Sequence, residues 1–184
     1  MKTQTPKLFI TVFAAFTLFI CSNVNAQSTE KSNLRFGIGV DGLLPVGNLS
    51  NTENFALGIT PRLQYRLSST VSLTLTSGLY HFFPKSIALV DVNNNPVGTY
   101  KFKSDIIPVK AGAKFFLSPN IYFGAEAGAG FQVAEGGGPV ALILTPGIGY
   151  ANKKWDINAR YEDFTYNGYS NGVVGLRIAY GFGL

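Results

Sequence analysis

The chain has 184 residues, 46% of them hydrophobic and 14% charged, with a formal net charge of +5 at pH 7. A single cysteine, Cys21, and a single histidine, His81, exclude a disulfide framework and a cysteine metal site. The mild positive charge forms no basic cluster, which excludes a nucleic-acid binder.

Residues 1–26 have the pattern of a cleaved secretory signal peptide. Lys2 and Lys7 give a basic start, an apolar run of 14 residues spans Leu8 to Cys21, and Val24-Asn25-Ala26 supplies the cut. The run is short of the ~20 residues that a spanning helix needs. Phe19 and Ile20 are too bulky for a lipoprotein signal before Cys21. Cleavage leaves 158 residues with 13 cations and 10 acids, a net charge of +3, and removes the only thiol. Residues 27–33 are expected to be a flexible lead-in, and residues 34–184 one domain.

From Leu34 onward the dominant pattern is alternation with period two, and no long segment has a helical period. Eight strands are predicted, near residues 34–43, 55–67, 71–83, 105–117, 121–131, 140–150, 155–164 and 172–184. The second reads FALGITPRLQYRL, with Phe55, Leu57, Ile59, Leu63 and Tyr65 on one face and Arg62 and Arg66 on the other. The fifth sets Phe123, Ala125, Ala127 and Ala129 against Tyr122, Gly124, Glu126 and Gly128. The connections alternate in length. Short ones fall at residues 68–70, 118–120 and 151–154, and longer ones at 45–54, 84–104, 132–139 and 165–171. Short turns at one end and longer loops at the other are a habit of outer-membrane barrels.

A soluble eight-stranded barrel also alternates, with its apolar face inside. Three features favour the inverted arrangement. The polar face is rich in glycine, as at Gly124, Gly128, Gly147, Gly149, Gly175 and Gly181. A narrow lumen needs small residues, whereas a water-facing strand is weakened by them. The polar face also carries charges of both signs: Arg62, Arg66, Lys110, Lys114, Arg160 and Arg177, against Glu126, Asp156, Glu162 and Asp41. They are expected to pair across the lumen, because buried charges persist only when paired. Finally, aromatics on the apolar face gather near the strand ends. Tyr65, Phe115, Phe123, Tyr150, Trp155, Tyr180 and Phe182 fall at the turn end, and Phe55, Phe131 and Tyr161 at the loop end. The expectation is an all-β, eight-stranded, antiparallel up-and-down transmembrane β-barrel. Pro61, Pro108 and Pro146 lie inside predicted strands, and a local bulge is expected at some of these sites.

Two stretches carry a family resemblance. One is IIPVKAGAKFFLSPNIYFGAEAGAGF, residues 106–131, and the other is the ending YGFGL. The chain resembles small outer-membrane β-barrel proteins of the OmpA/OmpX type, and most nearly the PorT-like outer-membrane β-barrel domain of Bacteroidota. The ending is similar to the signal read by the barrel-assembly machinery, which the resemblance maps onto Tyr180, Phe182 and Leu184. The resemblance implies an outer-membrane location, but no single activity; contact with lipid and lipopolysaccharide and a monomeric state are expected. It also brings in an alternative, an accessory subunit of a secretion or gliding machine.

No nucleophile elbow, phosphate loop or metal-ligand spacing is present, and no cofactor is expected. Asp91–Pro96 lacks the Gly and Glu of a calcium loop and is expected to be a polar loop tip. His81 sits at the height where some small barrels modify lipid A, but no serine or acid partner can be assigned to it from sequence. It is taken as an interfacial histidine, and the protein as a non-enzyme with a plugged polar lumen.

Overall fold

A computed structural model describes residues 33–90, 96–100, 104–133 and 138–183. The predicted signal, most of the lead-in, Leu184 and residues 91–95 of the polar loop tip lie outside the described residues. Among the described residues eleven strands run in chain order. They are β1 (Leu34–Val46), β2 (Glu53–Arg66), β3 (Val71–Ser77), β4 (Leu79–Pro84), β5 (Ile87–Val90), β6 (Pro96–Tyr100), β7 (Ser104–Phe116), β8 (Ile121–Gln132), β9 (Val140–Ala151), β10 (Trp155–Tyr166) and β11 (Tyr169–Gly183). A five-residue 3-10 turn, Gly47–Asn51, joins β1 to β2.

All barrel pairings are antiparallel, and the sheet closes through β1, which pairs with both β11 and β2. Segments β3 and β4 are two halves of one wall position, since both lie between β2 and β7. The closed wall therefore has eight positions. β5 and β6 form a separate hairpin between β4 and β7, where a plain loop was expected.

The break between β3 and β4 has a chemical cause. Pairing of β2 stops at Ile59↔Leu79 and resumes at Arg62↔Thr76, leaving out Pro61. Pairing of β7 stops at Ser77↔Val109 and resumes at Tyr80↔Ile106, leaving out Pro108. The gap around Gly78 is thus flanked on both sides by a proline that cannot donate to the ladder. Gly78 has φ +155°, and a Cβ there would stand 2.2 Å from the Ile59 carbonyl oxygen. Pro146 leaves a similar gap between β9 and β10, whose pairing skips from Arg160↔Gly147 to Asp163↔Leu144. The register is unchanged across all three gaps, so the expected bulges are absent. Among the described residues of the barrel wall, a register shift falls at Glu53/Phe55, near the loop end of β2.

The predicted loop at residues 165–171 is instead a tight turn. The β10–β11 ladder runs on to Tyr166↔Tyr169, leaving only Asn167 (φ 46°) and Gly168 (φ 81°). An Asn-Gly pair with two positive φ values is the hairpin turn whose twist matches the strands it joins.

The outer surface is apolar. Ile59 is 62% exposed, and Leu57, Leu75, Phe123, Leu144, Ile157 and Leu176 are similarly open. The aromatics Tyr65, Phe115, Phe123, Tyr150, Trp155 and Phe182 ring the turn end, and Phe55, Phe131 and Tyr161 the loop end, all on the outside. So long a band of exposed apolar side chains over a charged interior is a surface made for lipid.

Candidate functional site

The barrel interior holds a network of charged side chains. Five cations (Arg62, Lys110, Lys114, Arg160, Arg177) and four carboxylates (Asp41, Glu126, Asp156, Glu162) are buried in it. Each comes from the inward phase of its strand, and the long side chains reach past neighbouring strands.

The part nearer the loops centres on Glu162 and Tyr80, both wholly buried. Glu162 Oε1 accepts from Lys110 Nζ at 2.9 Å, Arg160 Nε at 2.5 Å and the Tyr80 hydroxyl at 3.0 Å. The Tyr80 oxygen in turn accepts from Lys110 at 3.1 Å and from Arg160 Nη2 at 3.0 Å. Arg160 Nη2 also donates to Asp41 at 2.7 Å. Asp41 further accepts from Thr60 at 2.6 Å, and Arg177 Nε donates to the same Thr60 hydroxyl at 2.9 Å.

The part nearer the turns centres on Arg62. Its Nη2 donates to Glu126 at 3.0 Å and its Nε to Thr76 at 2.8 Å, and Asp156 stands 3.9 Å from Nη1. Thr74 and Thr76 both donate to Glu126 Oε1, at 2.9 and 2.8 Å. Lys114 pairs with Asp156 and donates to Gln64 at 2.9 Å. The Tyr122 hydroxyl donates to Asp156 at 2.6 Å. Lys110, 4.0 Å from Glu126, links the two parts. Glycines leave room for the tyrosine rings: a Cβ on Gly58 would meet Tyr80 at 2.4 Å, and one on Gly149 would meet Tyr122 at 2.4 Å.

Nine of the ten charged residues expected in the lumen thus lie in one network. Arg66 does not. It is the last residue of β2 and is exposed at the turn end, where water solvates it more cheaply than a lumen acid could. Tyr180 and Phe182 of the expected assembly signal lie on the outer wall at the turn end, stacked edge-to-face at 5.0 Å, and Leu184 lies outside the described residues.

Two features went unread in the sequence. Tyr80 and Phe82, the neighbours of His81 on either side, point inward. The loop half of the interior is also not polar. Leu43, Ala56, Phe82, Ile143, Phe164 and Val173 form an apolar cluster over the ions. The signal was present as doubled apolar residues, Leu43-Leu44, Phe82-Phe83, Ile143-Leu144 and Val173-Val174, which mark strands apolar on both faces. Above the cluster a cavity of about 190 Å³ opens toward the loops, lined by Phe82, Phe164, Ile106, Ser104, Gln132 and Asn171 among others.

His81 has an acid partner that sequence could not assign. Asp105, its direct neighbour across the β4–β7 ladder, lies 2.5 Å from Nδ1. The pair is on the outer wall at the loop end, with His81 edge-on to Phe83. Ser104, the adjacent serine, lines the inner cavity on the other side of the wall. Among the described residues no group of three or more His, Cys, Asp or Glu is placed to hold a metal ion.

The fold is that of small outer-membrane β-barrels. The chain is similar to the N-terminal β-barrel domain of Pseudomonas aeruginosa OprF, at 16% identity and TM-score 0.52 over 83% of this chain and 100% of that one. It is also similar to the outer membrane protein Ail of Yersinia pestis. The crystal structure gives 13% identity and TM-score 0.56 over 82% of this chain and 99% of that one. The structure in a phospholipid bilayer nanodisc gives 14% identity and TM-score 0.54 over 80% and 99%. No protein-family model matches the sequence, and no curated protein matches it. The neighbours bear on the fold and not on the narrower PorT-like resemblance.

Proposed function

We propose that the protein is a monomeric, non-enzymatic integral barrel of the outer membrane, exported by its signal peptide, with a plugged lumen and with structural or recognition work done by its outer loops. The observation that carries this reading is the buried ion network beneath a lipid-type outer surface. Eight strands leave room for side chains only, and here those side chains hold one another across the axis. Small solutes then have no aqueous path, and what remains free to meet other molecules is the loop end. In this reading the short turns and both termini face the periplasm. The β5–β6 hairpin faces outside, and the aromatic rings sit at the two lipid interfaces.

The test has two arms. Protein extracted from outer membranes is run on gels boiled and unboiled, and the purified barrel is added to a planar bilayer. The expected results are a faster-migrating unboiled band and no steady channel. Recovery in the soluble periplasmic fraction, or a steady ohmic conductance, contradicts the reading.

A further inference from the structure

At the turn end of the barrel, three guanidinium groups meet at one small cavity. Arg35 from β1, Arg62 from β2 and Arg177 from β11 line it, together with Gln64, Asp156 and Gly181. It has a volume of about 20 Å³. A single water takes about 10–15 Å³ of such space.

Two features of this wall are left over from the ion network. Arg35 Nη2 is buried and has no hydrogen-bond partner, although Nη1 of the same group donates to the Asn152 carbonyl oxygen at 2.8 Å. A buried donor without a partner is costly, more so on a charged group. The second feature is charge. Among the described residues, Arg35, Arg62, Arg177 and Lys114 stand in this half of the barrel against two carboxylates, Asp156 and Glu126. Asp156 is already engaged by Lys114 and Tyr122. The acid nearest Arg177, Asp41, is 3.9 Å away and is held by Arg160 at 2.7 Å. Among the described residues this half is therefore two negative charges short, and the shortage falls at the cavity.

The backbone holds these like charges beside one another. The Arg35 side chain lies across Gly181, where a Cβ would come within 2.0 Å of Nε, and Arg177 lies across Gly39, where a Cβ would come within 2.6 Å of Cζ. The two glycines are seats for two guanidiniums that both line the cavity, where Asp156 is the one carboxylate among the described lining residues.

We propose that this cavity binds a single halide ion, chloride under physiological conditions, through Arg35, Arg62 and Arg177. The size selects the ligand. A monatomic anion little larger than water fits, while sulfate and phosphate, with five heavy atoms each, do not. The ion supplies one of the missing charges and gives Arg35 Nη2 its acceptor. Access is from the turn end, where Arg35 is only half-buried.

The experiment uses the folded barrel in a detergent free of halide, titrated with chloride while the chlorine NMR line width is followed. The expected result is a saturable broadening, displaced by bromide but not by sulfate at equal ionic strength. Arg35→Gln removes one ligand, and Gly181→Ala keeps every charge but pushes Arg35 off its seat. Each should weaken binding about tenfold or more, with folding verified by the unboiled gel band. In crystals grown with bromide, an anomalous peak should lie between the three guanidiniums. The proposal is overturned if the wild-type barrel gives no saturable broadening, in which case water or a carboxylate of the chain itself fills the cavity. It is equally overturned if both folded variants bind as the wild type does.

Discussion

Glu126→Ala tests which face of the wall looks inward. The carboxylate accepts from Arg62 at 3.0 Å, Thr74 at 2.9 Å and Thr76 at 2.8 Å, and has Lys110 at 4.0 Å. Without it, Arg62 keeps only Thr76 and a 3.9 Å approach to Asp156. Breaking a buried pair from one side costs about 3–5 kcal/mol. A small cavity lined by Arg62, Thr74, Lys114 and Tyr122 lies beside the pair and can admit a water, which favours the lower figure, about 3 kcal/mol. For a chain of this size that corresponds to a loss of about 6–12 °C in unfolding temperature. The assay is the midpoint of the compact-to-unfolded band shift on heating in one detergent, repeated as a urea titration followed by Trp155, the only tryptophan. Ala125→Leu is the control. Ala125 is the adjacent residue, exposed on the outer face, and lipid or detergent accepts leucine there, so the change should stay within about 0.5 kcal/mol. The double change Arg62→Met with Glu126→Leu should recover most of the loss, since apolar replacement of a whole buried pair is close to neutral. If Ala125→Leu unfolds the barrel and Glu126→Ala leaves it unmoved, the face assignment is inverted and the reasoning fails.

Tyr80→Phe removes a hydroxyl shared by Lys110, Arg160 and Glu162, and should cost about 1–3 kcal/mol in the same urea titration; an unchanged midpoint would mean that the two cations need only Glu162. Gly78→Ala drives a Cβ into the Ile59 carbonyl oxygen, whereas a Cβ on Gly42 meets nothing within 4 Å. The yield of folded band on refolding should therefore drop for Gly78→Ala and hold for Gly42→Ala. Gly168→Val puts a β-branched residue at φ 81° and should destabilise the β10–β11 turn by about 1 kcal/mol or more, while Asn167→Gly should be nearly neutral; equal effects would argue against the turn geometry. His81→Ala breaks an exposed pair with Asp105 and should cost no more than about 1 kcal/mol, with the lipid A profile of the cells unchanged. An altered profile would revive a lipid-modifying role.

Period-two alternation is local, since each residue's face follows from its neighbours, and that is why so much is legible in the sequence. The strand positions, the inward phase of Arg62, Lys110, Lys114, Glu126, Asp156, Arg160, Glu162 and Arg177, and the outward aromatic girdles all follow from counting by twos. Strand ends were less legible, because Tyr166 and Tyr169 pair only when Asn167 and Gly168 take positive φ, and a polar run does not announce that choice. Alternation cannot say which charge meets which. Arg62 of β2 finds Glu126 of β8, and Arg160 of β10 finds Asp41 of β1, across strands that lie between them. Those partners depend on the stagger of closure and on how far each strand is slid along the axis, which are properties of the closed wall and not of any segment. The same holds for the continuous register past Pro61, Pro108 and Pro146. A proline in isolation suggests a bulge, but two of the three here face one shared gap at Gly78, so the ladder simply skips and resumes. The faces were thus decided by the sequence. The contacts inside the barrel were decided by tertiary structure, because only closure brings distant strands within the reach of one side chain.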